Sequence, residues 1–186
     1  MATIYCSTKL STLLNLPKKP MDQLNTAVDP QGWNALLFYM NKRKCILFMH
    51  KQTLYCFLAL NIVKKDLADF PSFFRQGLTD QLLADQLLSP QMKAYLDTTC
   101  DSITLLPTDN DKKVLGSRNN HVQNIRYYEY REGDTLLMRP NYIGHQLNRT
   151  PMKPIGYRFP VEKMKEFLNN QVVKLLMGGS LNFTLS

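Results

Sequence analysis

Hydrophobic positions along the chain follow two periods. Between Trp33 and Leu60 they gather into three compact runs, Ala35–Met40, Cys45–Met49 and Leu54–Leu60, parted by the polar breaks "NKRK" and "HKQ". Runs of five to seven residues, rich in aromatic and branched side chains, are short for helices and read as strands. The spacing predicts an antiparallel meander over roughly residues 34–60, with "FYMNKRKCILF" as its clearest hairpin. From Phe70 the period lengthens. Phe70, Phe74, Leu78, Leu82 or Leu83 and Leu87 recur every three to four residues, the spacing of an amphipathic helix with Pro71 in its first turn.

The flanks are read the same way. "ATIYC" at Ala2–Cys6 is a short strand, and Ser7 or Thr8 caps a short helix carrying Leu10, Leu13 and Leu14, ended by Pro17 and Pro20. Ser89 and Pro90 open a second helix to about Thr98, and "DSITLLPT" is a strand. A longer helix runs from a cap at Asp109 or Asp111 to about Glu132, with Gly133 as its stop. Its inward strip is predicted to be Leu115, Val122 and Ile125, with Tyr128 alongside. "TLLMR" is a brief strand or a turn, and "PNYIGHQLNRTPM" a short helix or structured loop halted by Pro151. "PIGYRFP" is predicted as a strand, and "VEKMKEFLNN" as a helix opened by Pro160. Residues 171–186 either extend that helix or form an edge strand. With no repeat and no biased linker, the expectation is one α+β domain over residues 1–186. It would hold a mainly antiparallel sheet with helices packed on one face.

Composition narrows the class. At 186 residues, 44% hydrophobic and 20% charged, the chain has enough apolar side chains for a core, and the disordered classes lose support. No apolar stretch approaches the roughly 20 residues a spanning helix needs, so no membrane is expected. The N-terminal "MATIYCSTKLSTLLNL" lacks a basic leader with a continuous apolar stretch, and a cytoplasmic location is the expectation. Cys6, Cys45, Cys56 and Cys100 are too scattered for a zinc site, and Cys45 and Cys56 sit inside apolar runs as core residues. The net charge of +8 is uneven: +5 over residues 1–60, −2 over 61–101, +2 over 102–151 and +3 over 152–186. A basic surface favours phosphate-bearing partners.

Chemistry is best sought in three places. The hairpin tip offers Lys42, Arg43 and Lys44 to a phosphate backbone, although a solubilising turn has the same composition. The helical run "VLGSRNNHVQNIRYYEY" aligns Ser117, Asn120, Asn124 and Tyr127 on one side, with Asn119 in the same run and Arg118 and Arg126 nearby. Asn amides can read base edges and Tyr can stack on them, and Asn is otherwise a poor choice for a helix face. These residues are expected to border a polar groove shared with Asn148 and Arg149. His121, His145 and Arg149 are the groups available for proton transfer and charge stabilisation if the chain cleaves a phosphodiester. Asp109 and Asp111 could hold a cation, but an acidic helix start satisfies the same free amides. No nucleophile elbow, zinc-binding helix or phosphate loop is present, and neither metal nor cofactor is expected.

The order of "KRKCILFMHKQTLYCFLA", "KKVLGSRNN" and "HQLNRTPM" resembles a family of small bacterial proteins of unknown function. The resemblance rests on Trp33 and Asn34, Arg43 and Lys44, Thr53 to Tyr55, Leu115 to Asn119, and Leu147 to Met152, across most of residues 1–168. It implies a compact domain and carries over no mechanism. Arg118 and His121 stand where that resemblance leads one to expect apolar side chains. The functional expectation is a non-enzymatic binding module for RNA, DNA or a regulatory protein partner. The alternative is a small ribonuclease-like enzyme.

Overall fold

The computed structural model describes residues 2–17 and 31–179. Five strands form one mixed sheet: β1 (Ala2–Cys6), β2 (Trp33–Met40), β3 (Arg43–His50), β4 (Cys56–Ala59) and β5 (Ile103–Pro107), in the order β4-β3-β2-β1-β5. The meander β2-β3-β4 is antiparallel, with Leu36 opposite Leu47 and Phe48 opposite Phe57. β1 lies parallel to β2 and to β5, so most of the paired positions remain antiparallel. The hairpin turns through Asn41 and Lys42, both left-handed at φ 42 and 63, which gives a two-residue loop the twist that its strands need.

Among the described residues six α-helices complete the α+β fold: α1 (Thr8–Leu13), α2 (Phe70–Ala84), α3 (Pro90–Thr99), α4 (Lys112–Glu132), α5 (Pro140–Asn148) and α6 (Pro160–Gly179). Their starts follow local chemistry. Asp69, Ser89 and Asp111 each accept a hydrogen bond from a backbone amide of the first turn, and Gly133 closes α4 at φ 63. Residues 171–179 continue α6, and the remainder of the C-terminal stretch lies outside the described residues.

The helices cover both faces of the sheet, not one. One core joins Trp33, Ala35, Leu37, Phe48 and Phe57 to α2, α3 and α6. The other joins Phe38, Met40, Leu47, Met49 and Leu58 to α4 and α5. This explains why the meander reads as continuous apolar runs: strands buried on both faces have no polar side to alternate with. Three local expectations are corrected. "PIGYRFP" is not a strand, because Gly156 and Tyr157 are both left-handed and the chain curls back into a single bridge, Met152 to Arg158. Leu54 is left-handed as well, so β4 begins at Cys56. On α4, Leu115 and Val122 are only half-buried; the core takes Val114, Ser117, Arg118, His121 and Ile125. Rotation there follows the whole packed face, which includes polar side chains that the apolar strip ignored.

Candidate functional site

The basic hairpin tip meets the last turns of α4. The backbone N–H of Asn41 donates to Glu129 Oε1 at 2.7 Å, which ties the β2–β3 turn to the helix. Lys42 and Arg43 are exposed, Lys44 is half-buried, and Arg43 Nη1 donates to Asn61 Oδ1 at 3.0 Å. On the helix beside them, Asn119, Gln123, Arg126 and Tyr130 recur at four, three and four residues, and all are exposed. Tyr130 is 89% exposed and Tyr127 58%, with the Arg131 guanidinium 5.9 Å from the Tyr127 ring. Exposed tyrosines cost hydrophobic free energy in water, and here they stand among cations.

A second centre is built on a carboxylate. Leu78, Gln81, Leu82 and Asp85 share the buried side of α2 and its C-terminal end. The Asp85 side chain has no exposed surface. Tyr55 Oη donates to its Oδ2 at 2.7 Å, Gln81 Nε2 at 3.1 Å and Asn148 Nδ2 at 3.1 Å, while Arg149 Nη1 donates to Oδ1. His145 Nδ1 lies 2.9 Å from the same Oδ1, at 37% side-chain exposure. Burial alone would raise the Asp85 pKa. The hydrogen bonds from Tyr55, Arg149, Gln81 and Asn148 outweigh it and hold the carboxyl below its ordinary value. Burial, and then the charge of Asp85, push the Tyr55 hydroxyl upward. A proton on Nδ1 lets His145 donate to that carboxylate and leaves the Nε2 lone pair free, whereas a bare Nδ1 accepts from Arg149 instead. Arg149 Nη1 also lies 2.9 Å from that Nδ1, so the three groups Asp85, His145 and Arg149 meet at one point.

The chain brings these groups together by close approach. At Gly144 of α5 a Cβ would run into the Gln81 carboxamide, so the missing side chain lets α5 lie against α2 with Gln81 in its present place. Asn148 serves the backbone first: its Oδ1 accepts from Cys56 N at 2.8 Å and its Nδ2 donates to Cys56 O at 2.9 Å. Its amide thus acts as a surrogate strand on the open edge of β4. The sequence reading missed Asp85, although an acidic residue in the apolar stripe of α2 was the available signal.

The remaining candidates lie elsewhere. Ser117 is buried and donates to Lys113 O at 2.9 Å; Asn120 is exposed and Asn124 half-buried, so the three do not face one groove. Arg118 is turned inward, with Nη1 donating to Asn34 Oδ1 at 2.8 Å and Nε unpaired. It is not a surface cation. His121 is fully buried with both ring nitrogens unpaired, and burial lowers its pKa to about 4. It stands apart from the His145–Arg149 pair and offers no base to solvent. Asp111 caps α4 and Asp109 pairs with the buried Lys51; among the described residues no cluster fits a metal ion. No helix among them is long and apolar enough to cross a membrane.

The chain belongs to the family described as "Domain of unknown function (DUF6933)", whose sequence profile matches residues 3–163. That span takes in all five strands, α1 to α5, the hairpin and the Asp85 centre. No curated protein matches the chain.

Proposed function

We propose that the protein is a non-enzymatic binding module whose hairpin–α4 surface takes a single-stranded nucleic acid. The carrying observation is the Asn41–Glu129 hydrogen bond, which ties the turn that carries Lys42 and Arg43 to the end of α4 that carries the exposed Arg126 and Tyr130. Cations meet a phosphate backbone, and the tyrosine rings offer faces on which bases stack without regard to sequence. The test is fluorescence anisotropy with a labelled single-stranded RNA across a salt series. Replacing Lys42, Arg43 and Lys44 with Gln should weaken binding and reduce the salt slope by about two, at roughly 0.7 per phosphate contact. Tyr130→Ala should cost about 1–3 kcal/mol of binding with an unchanged melting temperature. An unaltered salt slope in the triple variant would remove the hairpin from the interface.

One observation favours a second reading, a phosphodiester-cleaving enzyme: His145 rests on Asp85 with Arg149 beside it. There His145 Nε2 would take the proton of a ribose 2′-hydroxyl as that oxygen attacks phosphorus. The bond to the 5′-oxygen would break, with solvent protonating the leaving group, and Arg149 would meet the charge that develops on the phosphoryl oxygens. The same RNA, resolved on a gel after incubation, separates the readings. A binding module leaves it intact; an enzyme cleaves it, and His145→Gln abolishes cleavage while binding persists.

A further inference from the structure

β1 leaves the sheet early. It pairs with β2 only from Trp33 to Ala35, after which the chain turns into α1, whereas β2 continues to Met40. Two bonds establish which backbone groups face the vacated row: Ser7 N donates to Ala35 O at 2.8 Å, and Leu37 N donates to Ser7 Oγ at 3.2 Å. Backbone direction alternates along a strand, so the Leu37 carbonyl and the N–H and carbonyl of Tyr39 open to the same side. The Ser7 hydroxyl already stands in for a missing strand at Leu37. Beside this edge lies a cleft of about 410 Å³, floored by Leu36 and Tyr39 and walled by Ser7 and Lys9 of the α1 segment and by Val122 and Arg126 of α4. Lys9 and Arg126 are both exposed, and neither is paired with a carboxylate among the described residues.

We infer that this cleft receives an extended, acidic segment of a protein partner, which adds to the free edge of β2 as a strand. Unmet backbone donors and acceptors at a sheet edge are a template for main-chain pairing, and flanking pockets supply selectivity. The aliphatic surface of Leu36 and Val122 suits alternate apolar side chains, and the cations on opposite walls suit carboxylates between them. The cleft borders the proposed nucleic-acid surface and shares Arg126 with it. The inference does not rest on that reading, because its defining groups are backbone atoms of β2.

The probe is a fluorescein-labelled, end-capped peptide Thr-Val-Glu-Val-Asp-Val-Thr, followed by anisotropy. It should bind saturably, and a version with Lys in place of both acidic residues about tenfold more weakly or worse. The double substitution Lys9→Glu with Arg126→Glu should reverse that preference. Tyr39→Pro removes one outward N–H at an edge where proline is tolerated, so affinity should fall about tenfold while the melting temperature holds. Should Tyr39→Pro unfold the hairpin, the acidic peptide N-methylated at alternate amides tests the same bonds on the intact protein and should lose binding. The inference is overturned if the acidic peptide fails to bind, if the basic one binds equally, or if N-methylation leaves affinity unchanged. Single-stranded RNA binding that depends on the Tyr39 N–H would also overturn it, by giving the cleft to nucleic acid. The Lys42, Arg43 and Lys44 substitutions leave the peptide affinity unaltered even where they abolish RNA binding.

Discussion

Two of the buried polar clusters among the described residues are built in opposite ways. At Asp85 one carboxylate collects hydrogen bonds from Tyr55, Gln81, Asn148 and Arg149, and Gln81 Oε1 is the one buried atom of that group left without a partner. Under α4, Asn34 and Arg118 share a single bond, while Asn34 Nδ2, Arg118 Nε and both nitrogens of His121 have none. Both clusters remove charge or dipole from water. Only the first replaces what water supplied. A satisfied network fixes geometry, and here it fixes His145 and Arg149 at the surface. An unsatisfied one lowers stability and holds few orientations.

The sharpest way to break this contrast is at the hub. Asp85→Ala should cost about 3 kcal/mol in urea unfolding, because it strands the buried Tyr55 hydroxyl and takes one bond from each of the Gln81 and Asn148 amides, while Arg149 and His145 can turn to water. A loss under about 1 kcal/mol would mean that the network contributes no more than an exposed pair.

A smaller effect of opposite sign is expected under α4. The His121 pKa is lowered by burial from 6.5 to about 4, so the unfolded chain binds a proton between those values and the folded chain does not. The stability linked to this group is present above pH 6.5 and is lost as pH falls towards 4. Between pH 8 and pH 5 the loss is about 2 kcal/mol. His121→Leu removes that loss, so its advantage over the parent should grow by about that amount over the same interval, read from paired denaturation curves. A constant difference at the two pH values would show that His121 keeps its proton when folded. His50, also lowered by burial, to about 3, leaves the variant with acid sensitivity of its own.

The smallest effect belongs to the helix surface. Asn120→Ala with Asn124→Ala should change the melting temperature little, because neither amide belongs to the buried clusters. A drop equivalent to 1–2 kcal/mol, the scale of lost buried hydrogen bonds, would instead make these amides part of the scaffold.

Much of this architecture was legible along the chain, because local rules act over a few residues. The three apolar runs became β2, β3 and β4, Ser89 and Asp111 capped their helices, and Gly133 ended α4. Even the burial of Arg118 and His121 had a trace, since they occupied positions where the family resemblance led one to expect apolar side chains. What could not be read was which distant groups would meet. The second layer of helices was signalled only by unbroken apolar runs, which a strand buried on one face does not require. Asp85, Tyr55 and His145 are separated by 30 and 60 residues along the chain, and no spacing rule links them.

The sequence by itself therefore determined most of the elements, "PIGYRFP" excepted: period sets helix or strand, and caps and prolines set their ends. The tertiary structure decided which polar side chains were useful. The rotation of α4 is chosen by the total fit of one face, so Ser117, Arg118 and His121 went inward while Asn119, Arg126 and Tyr130 stayed in water. The press of α5 against α2 at Gly144 brought His145 and Arg149 onto a carboxylate buried at the end of another helix. Periodicity assigns a residue to a face of its own element; only packing says what stands opposite that face, and hydrogen bonding at 3 Å depends on the second.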